Sequence, residues 1–528
     1  MMKSLLLSAA FALALVLLAA TPAFAQLTDV TQTPNAENEG VHKSLAQQIG
    51  AGRGSVLTPD SSLYIIQRDP FRSIRRGRQL FQRKFTIAQG AGPRTKDGIG
   101  DDINADPSPG AGLVDSCAGC HGRPRGSAGF GGDVFTRPDS RDAPHLFGLG
   151  LVEMLADEMT TDLRKIRSEA IRQAARNRRS VTLSLAAKGT RFGRITARPD
   201  GAVDTSGVQG VDPDLRVRPF FHHGGEFSIR GFSVGAFNDE MGLESPDADL
   251  IVASAGGRVV TPAGLVLDGS LDRIQVPGAP NETADDDLDG KVNEMPTALI
   301  DHMEFYLLNY FKAGHTQETR SSRTGRSAFA MVGCATCHTP NLTIQSDRRV
   351  ADVETAFDPQ RGHFNRLFST ATALLTAVDD GSGQPAIKKP ARASFVVRDI
   401  FADFKRHDLG PEFHERNFDG KIRTLFLTEP LWGVGSTAPY GHDGRSINLL
   451  EVILRHGGEA KSSRDAFVAL PPDLRSSIID FLNTLVLFPP DDTASNLDPG
   501  DPSAPAYPQR GHGSIKLGVL FNNPADAE

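Results

Sequence analysis

Cysteine is nearly missing from these 528 residues: there are four, and all of them fall in two short stretches. A framework of structural disulfides is therefore not what holds the chain together. Positive charge is not in excess either, with 57 Lys and Arg against 64 Asp and Glu for a net charge of −7, which argues against nucleic acid as a partner. Tryptophan occurs once, at Trp432, and no low-complexity tract interrupts the chain. Continuous apolar residues are confined to the start, "MMKSLLLSAAFALALVLLAATPAFA", where Lys3 precedes an apolar run and Ala23-Phe24-Ala25. That is the pattern of a secretory signal peptide (1–25) cut before Gln26. It predicts an exported, periplasmic chain with no membrane span after cleavage. A chain of this length predicts two or more domains.

The four cysteines are used with economy. "VDSCAGCHG" places Cys117 and Cys120 before His121, and "MVGCATCHT" places Cys334 and Cys337 before His338. Cys-x-x-Cys-His is the attachment signature of c-type haem. The thiols form thioethers with the porphyrin, and the adjacent histidine reaches the iron as proximal ligand. A zinc knuckle fits less well, because each motif offers only three ligands, and no strand–helix pattern supports a redox dithiol. The sequence thus predicts two covalent haems.

Between the motifs, the spacing of apolar residues predicts helices over 73–86, 160–180, 296–314 and 470–488, with alternation after 181 predicting a small β excursion. A Gly-Arg dipeptide inside an apolar helix precedes each motif ("RRGRQLF" and "RTGRSAF"), a weak internal repeat. The expected fold is mostly α, with two cytochrome c-like haem domains in tandem, long loops and that β excursion. The expected divisions are an irregular N-terminal arm (26–72), an N-terminal haem domain (73–315), a C-terminal haem domain (316–490) and an irregular tail (491–528).

These signals, in order from about residue 75 to 490, resemble the two-haem bacterial cytochrome c peroxidases and the methylamine-utilisation di-haem enzyme. The nearest resemblance is to the di-haem oxidoreductase branch, once called thiol oxidoreductases. It is carried by "DGIGDDIN", "SCAGCH", "HLFGLGLVEML", "GAFNDEMGL", "GCATCHTP", "RHDLGP" and "TEPLWGVGSTAPYGHDGRSINLLEVILRHGGEA". The resemblance implies that the residue fourteen after His442 is the sixth ligand of the second haem; here it is His456. Bis-histidine ligation would give that iron a lower potential than His/Met ligation. Read from its residues alone, His456 is equally a histidine capping a helix end before Gly457 and Gly458. In the peroxidases a Gln and a Glu ten residues apart line the open side of the first haem. Glu240 matches the Glu, whereas Arg230 stands where the Gln is expected. Glu240 would move a proton as an O–O bond breaks, and Arg230 would either stabilise the charge that develops or pair with Glu240. His145, His222 and His223 are rival occupants of that pocket.

His442 and Arg445, on the "PYGHDGRS" turn, suit a haem edge or propionate. Trp432 suits either an electron relay or the core, and His407 either structure or function. The resemblance implies peroxidase-like catalysis at the first haem with electron relay through the second. The partners expected are a small redox protein such as a small cytochrome c and a small-molecule oxidant or substrate. An electron-transfer cytochrome with both irons six-coordinate, or a haem oxygenase acting on an organic substrate, are the alternatives. Separately, "DDDLDGKVNE" spaces Asp285, Asp287 and Asp289 like a calcium loop, with Glu294 standing in for the usual last ligand; the alternative is a plain acidic turn.

A pyridine haemochrome assay on the mature protein is expected to return two c-type haems per chain that acid–acetone does not extract; fewer would overturn the reading of the two motifs.

Overall fold

Helix formation before the first motif begins at a cap. Asp69 accepts the Arg72 N–H at 3.2 Å and Pro70 occupies the first turn, so the helix runs Pro70–Gln82, a few residues ahead of the expected span. The computed structural model describes residues 45–487 except 92–113, 123–132, 135–140, 276, 286–288, 310–313, 316–317, 350, 353–371, 374–375, 380–384, 389–393 and 417–419. The signal peptide and the "DGIGDDIN" stretch lie outside the described residues, as does the C-terminal tail.

The elements that position the site run as follows. Helix α1 (Ser62–Arg68) leads into α2 (Pro70–Gln82), and the first haem motif is itself the short α3 (Cys117–His121). The long α4 (Leu149–Asn177) is followed by strands β1 (Val181–Ala187), β2 (Thr190–Ala197) and β3 (Val203–Asp204). Then come α5 (Ile229–Met241), α6 (Ala248–Ser254), α7 (Thr297–Asn309) and β4 (Gly314–His315). The second half holds α8 (Arg320–Met331), a 3-10 turn at the second motif (Cys334–Thr336), β5 (Leu342–Ile344), β6 (Phe395–Val397), β7 (Arg406–Asp408) and β8 (Leu425–Leu427). It closes with α9 (Leu449–Arg455), α10 (Lys461–Ala469), α11 (Pro472–Leu482) and β9 (Leu485–Val486). Among the described residues helices outweigh strands and the sheets hold two or three strands each, so the fold is mostly α. The β excursion after 181 is an antiparallel sheet in the order β1-β2-β3 laid on α4. Its first turn uses Lys188 and Gly189, both at positive φ, which suits a two-residue hairpin.

The weak Gly-Arg repeat has a steric cause. Gly77 of α2 lies against the His302 carbonyl and Tyr306 of α7, and Gly325 of α8 lies against the Ser477 carbonyl and Ile478 of α11. A methyl at either position would overlap those atoms, so each glycine lets two helices cross at backbone distance. Two like helix pairs, α2 with α7 and α8 with α11, thus stand behind the two motifs. The halves are joined by the pairing of β4 with β9. Core packing also crosses residue 316: Leu342, Ile344, Val397, Ile400 and Trp432 pack with the core of the first half.

One helix reaches further than its pattern suggested, and another is more deeply buried. Helix α4 begins eleven residues before the expected 160, because "LGLVEMLA" at 149–156 is nearly all buried. Helix α7 is buried along its whole length, including Asp301, His302 and Glu304. Its charges are matched inside the protein. Arg230, fully buried on α5, grips Asp247 through two bonds of 2.8 and 2.6 Å and adds Asp301 at 2.9 Å and Glu304 at 2.8 Å. Arg53 joins Asp249 at 2.5 Å, and Arg348 joins Glu153 at 2.8 Å. Breaking such a cluster at one member costs about 3–5 kcal/mol, since the remaining charges are left buried.

Burial, opposed by Arg230 and reinforced by Glu153, pushes the Glu304 carboxyl up from 4.5 to about 7. A raised carboxyl holds its proton longer in the folded state, so its contribution is present below about pH 4.5 and is lost as pH rises through about 7. Glu304→Gln keeps the shape and removes the titration. The expected outcome in urea denaturation is that the stability of wild type relative to this variant falls between pH 4.5 and 7.

Candidate functional site

The first motif is pinned from two sides. The Asp115 carbonyl accepts the Phe85 N–H just beyond α2 at 2.8 Å, and the Val114 N–H reaches the Glu240 carbonyl at the end of α5 at 3.4 Å. Ser116 then caps α3 by accepting the Gly119 N–H at 3.1 Å, so Cys117, Cys120 and His121 share one helical turn. In the second motif Gly333 takes the left-handed conformation that starts the turn, and the Cys334 carbonyl accepts the N–H groups of Cys337 at 3.3 Å and His338 at 3.0 Å.

Each proximal histidine is oriented by a backbone carbonyl. His121 donates from Nδ1 to Pro144 at 2.7 Å, and His338 donates from Nδ1 to Phe401 at 3.0 Å. This fixes the tautomer and leaves Nε2 as the ring atom for iron. Burial pushes both imidazoles down to about 4, so both are neutral at pH 7, the form that binds a metal. Phe401 holds its carbonyl in place with φ 51°, a conformation costing a bulky residue roughly 1–3 kcal/mol. Its ring is locked edge-on against Phe329 at 5.8 Å and Phe481 at 5.5 Å. The four thiols are unpaired with one another, and burial pushes Cys117 up to about 12 and Cys120 and Cys334 up to about 11. Two thiols on one turn beside a neutral, carbonyl-anchored histidine form a donor set that fits covalent haem in both places.

The rest of the candidate residues divide between the two motifs. His456 ends α9 with Nδ1 donating to the Val452 carbonyl at 2.7 Å, again leaving Nε2, and its ring meets Phe413 edge-on at 5.3 Å. It lies near enough to His338 for a charge on one to depress the other. His442 is buried, stacked on Phe426 at 4.0 Å, with Nε2 3.1 Å from Glu415. Arg445 is spent on Asp443 and on the Glu412 carbonyl at 2.6 Å, and Arg455 reaches the same two partners at 2.8 and 2.9 Å. Together they fasten the 439–446 turn to 411–413. His442, expected at a haem edge or propionate, sits on this fastened turn. His407 is held between Asp403 and Glu459, both at 2.9 Å, and with Cys337 and Asp403 it forms a tight group behind the second motif. With a carboxylate on each ring nitrogen, it is a brace there.

Glu240 is brought to the first motif: next to burial, its carboxylate is what raises the Cys120 thiol. Arg230 is not brought there. Ten residues away on α5, about 15 Å along the axis, its guanidinium is consumed by Asp247, Asp301 and Glu304. The expectation that Arg230 stabilises charge at the haem or neutralises Glu240 is corrected accordingly: Arg230 is a buried structural cation. His145 is corrected as a possible iron ligand, because Nε2 donates to the Trp432 carbonyl at 2.6 Å and Nδ1 accepts the Phe147 N–H at 3.2 Å. His222 pairs with Glu429 at 3.0 Å and faces His442 with ring centres 6.0 Å apart, while His223 stacks on Phe221. Trp432 is buried, donates to the Arg398 carbonyl at 3.3 Å and presses its ring on Gly148.

In the acidic loop, Asp285 accepts the backbone N–H groups of Asp289 and Gly290 at 3.1 and 3.2 Å, and Asp287 lies outside the described residues. Glu294 is buried against Gly90 and accepts the Glu244 N–H at 2.6 Å. Its carboxylate thus serves the backbone of the turn after α5, which corrects its expected place as the last ligand of a calcium loop.

The sequence pattern did not single out the two accepting carbonyls, of Pro144 and Phe401, or His145's part between them. A signal exists: "HLFGLG" (145–150) and "LWGVG" (431–435) share an aromatic-Gly-x-Gly pattern. In the fold they face each other, Gly148 against Trp432 and Gly433 against His145.

Residues 362–485, which contain His407, Trp432, His442 and His456, match the model of a family described as "Di-haem oxidoreductase, putative peroxidase". The resemblance read in the sequence is thereby borne out, and the coarse conclusion is a haem oxidoreductase. No curated protein matches the chain. Among solved structures, "Kuenenia stuttgartiensis Hydrazine Synthase Pressurized with 20 bar Xenon" matches at 15% identity over 36% of this chain, with a TM-score of 0.20. The match spans 55% of that chain, and a likeness so slight carries nothing about fold or chemistry. Among the described residues no helix is long and apolar enough to cross a membrane.

Proposed function

We propose that this chain is an exported, periplasmic two-haem c-type cytochrome. It reduces a small oxidant, in the manner of a peroxidase, at the haem of the first motif, and draws electrons through the haem of the second from a small redox protein. The observation that carries the reading is the unequal furnishing of two otherwise like motifs. The second has His456, with its Nε2 left over, close to His338. The first has a carboxylate, Glu240, close to Cys120.

The haems supply the redox chemistry when attached. The protein's own residues do the rest. His121 and His338 would hold the two haems through Nε2, with Pro144 and Phe401 fixing their rings. His456, whose Nε2 is left over beside His338, would be a further ligand to that haem and would suit it to carrying electrons. Glu240 takes a proton from the bound oxidant and returns it to the departing oxygen. Arg230 supports this indirectly, by holding α5 against α7. His442, Arg445 and Arg455 keep the turn beside the second haem in one conformation.

Two outcomes test the assignment. Glu240→Gln is expected to lower peroxide-dependent turnover of the pre-reduced protein by about a hundred- to ten-thousand-fold while both haems stay attached. A wild-type protein in which both irons are low-spin and inert to peroxide would instead be the electron-transfer cytochrome. His456→Met is expected to raise the potential of the second haem, read by spectroelectrochemical titration; an unchanged potential and spectrum would remove His456 from the iron.

A further inference from the structure

We propose that His145 is a positioning residue that ties the proximal sides of the two haem sites into one hydrogen-bonded strut, so that each proximal histidine's setting depends on the other half of the molecule. The inference rests on the two-haem reading above.

The strut can be followed atom by atom. His121 donates from Nδ1 to the Pro144 carbonyl at 2.7 Å. The next residue, His145, donates from Nε2 to the Trp432 carbonyl at 2.6 Å. One residue back, the Leu431 N–H donates to the Ile400 carbonyl at 3.1 Å. The next carbonyl, that of Phe401, accepts His338 Nδ1 at 3.0 Å. Three peptide units and four hydrogen bonds thus connect one proximal imidazole to the other.

Of these links only His145 is made by a side chain other than the proximal histidines, so it is the one that substitution can remove without touching an iron ligand. Its chemistry suits the task. Nδ1 is held as an acceptor by the Phe147 N–H, which obliges Nε2 to carry the proton and donate it across the boundary. Gly148 leaves room for the Trp432 ring. Residues flanking each joint are stiff: Pro144 has a fixed φ, and Phe401 is wedged between Phe329 and Phe481. A carbonyl that shifts beneath a proximal histidine changes the imidazole's orientation and basicity, hence the electronic state of its iron. A filler role for His145 would need neither the donor nor its alignment, and Leu would serve as well.

The test uses the holoprotein. Wild type and variants are first assayed for two c-type haems, then titrated by spectroelectrochemistry to obtain the equilibrium by which one electron is shared between them. His145→Leu is expected to change that equilibrium about tenfold, in line with the loss of an outer-shell partner, and to alter the absorption bands of the first haem. His145→Gln, whose amide N–H can still reach the Trp432 carbonyl, is expected to restore both. If His145→Leu fails to fold, His145→Asn, polar but too short for the span, takes its place and should behave as Leu would. Two haems with an unchanged equilibrium in the Leu or Asn variant overturn the inference and leave the functional reading standing. A wild type with fewer than two haems overturns both.

Discussion

Everything chemical in this protein depends on where two backbone carbonyls point. Cys-x-x-Cys-His supplies the thiols and the imidazole, but an imidazole ring on a half-buried turn is free to rotate until its second nitrogen is held. The Pro144 and Phe401 carbonyls hold it, at 2.7 and 3.0 Å. Both belong to segments distant in sequence from the motifs they serve, 23 residues away in one case and 63 in the other. The cost of aiming them is visible at Phe401, a left-handed phenylalanine kept there by two aromatic neighbours.

The segments that carry these carbonyls are held by two kinds of packing. One is the crossing of paired helices at glycine, Gly77 over α7 and Gly325 over α11. That arrangement is repeated in both halves and so gives both motifs a like backing. The other is confined to the first half: a buried set of charges on α5, α6 and α7 around Arg230. Ion pairs of this kind add little net stability over apolar packing, but they permit few alternative arrangements of the helices that carry them. Helix α5 ends at the residue pair Glu240 and Met241, so the same charges that fix α5 also fix the carboxylate delivered to the first motif.

Likeness of backing and unlikeness of furnishing together suit a division of labour. A closed, bis-histidine iron exchanges electrons with little rearrangement, whereas a site with a nearby carboxylate can manage protons. His456 lies near His338 of one motif and Glu240 near Cys120 of the other. The strut through His145 would make the two sites sensitive to each other.

What could be read along the chain was the local part of this protein. The two Cys-x-x-Cys-His motifs were legible because the thiols and the imidazole of each fall within five consecutive residues. The helices at 70–82, 297–309 and 472–482 were legible because capping and apolar periodicity are local. The Gly-Arg repeat was visible, yet its meaning was not, since a glycine's need for close approach lies in the partner helix. Tertiary structure alone decided the rest. It sent Arg230 into a buried acidic cluster, whereas the family resemblance had implied the haem pocket. It gave both nitrogens of His145 to backbone groups, and it turned Glu294 inward to the Glu244 N–H. In each case the deciding partner is remote in the chain or the charge had to be neutralised in the interior, and one-dimensional spacing carries neither.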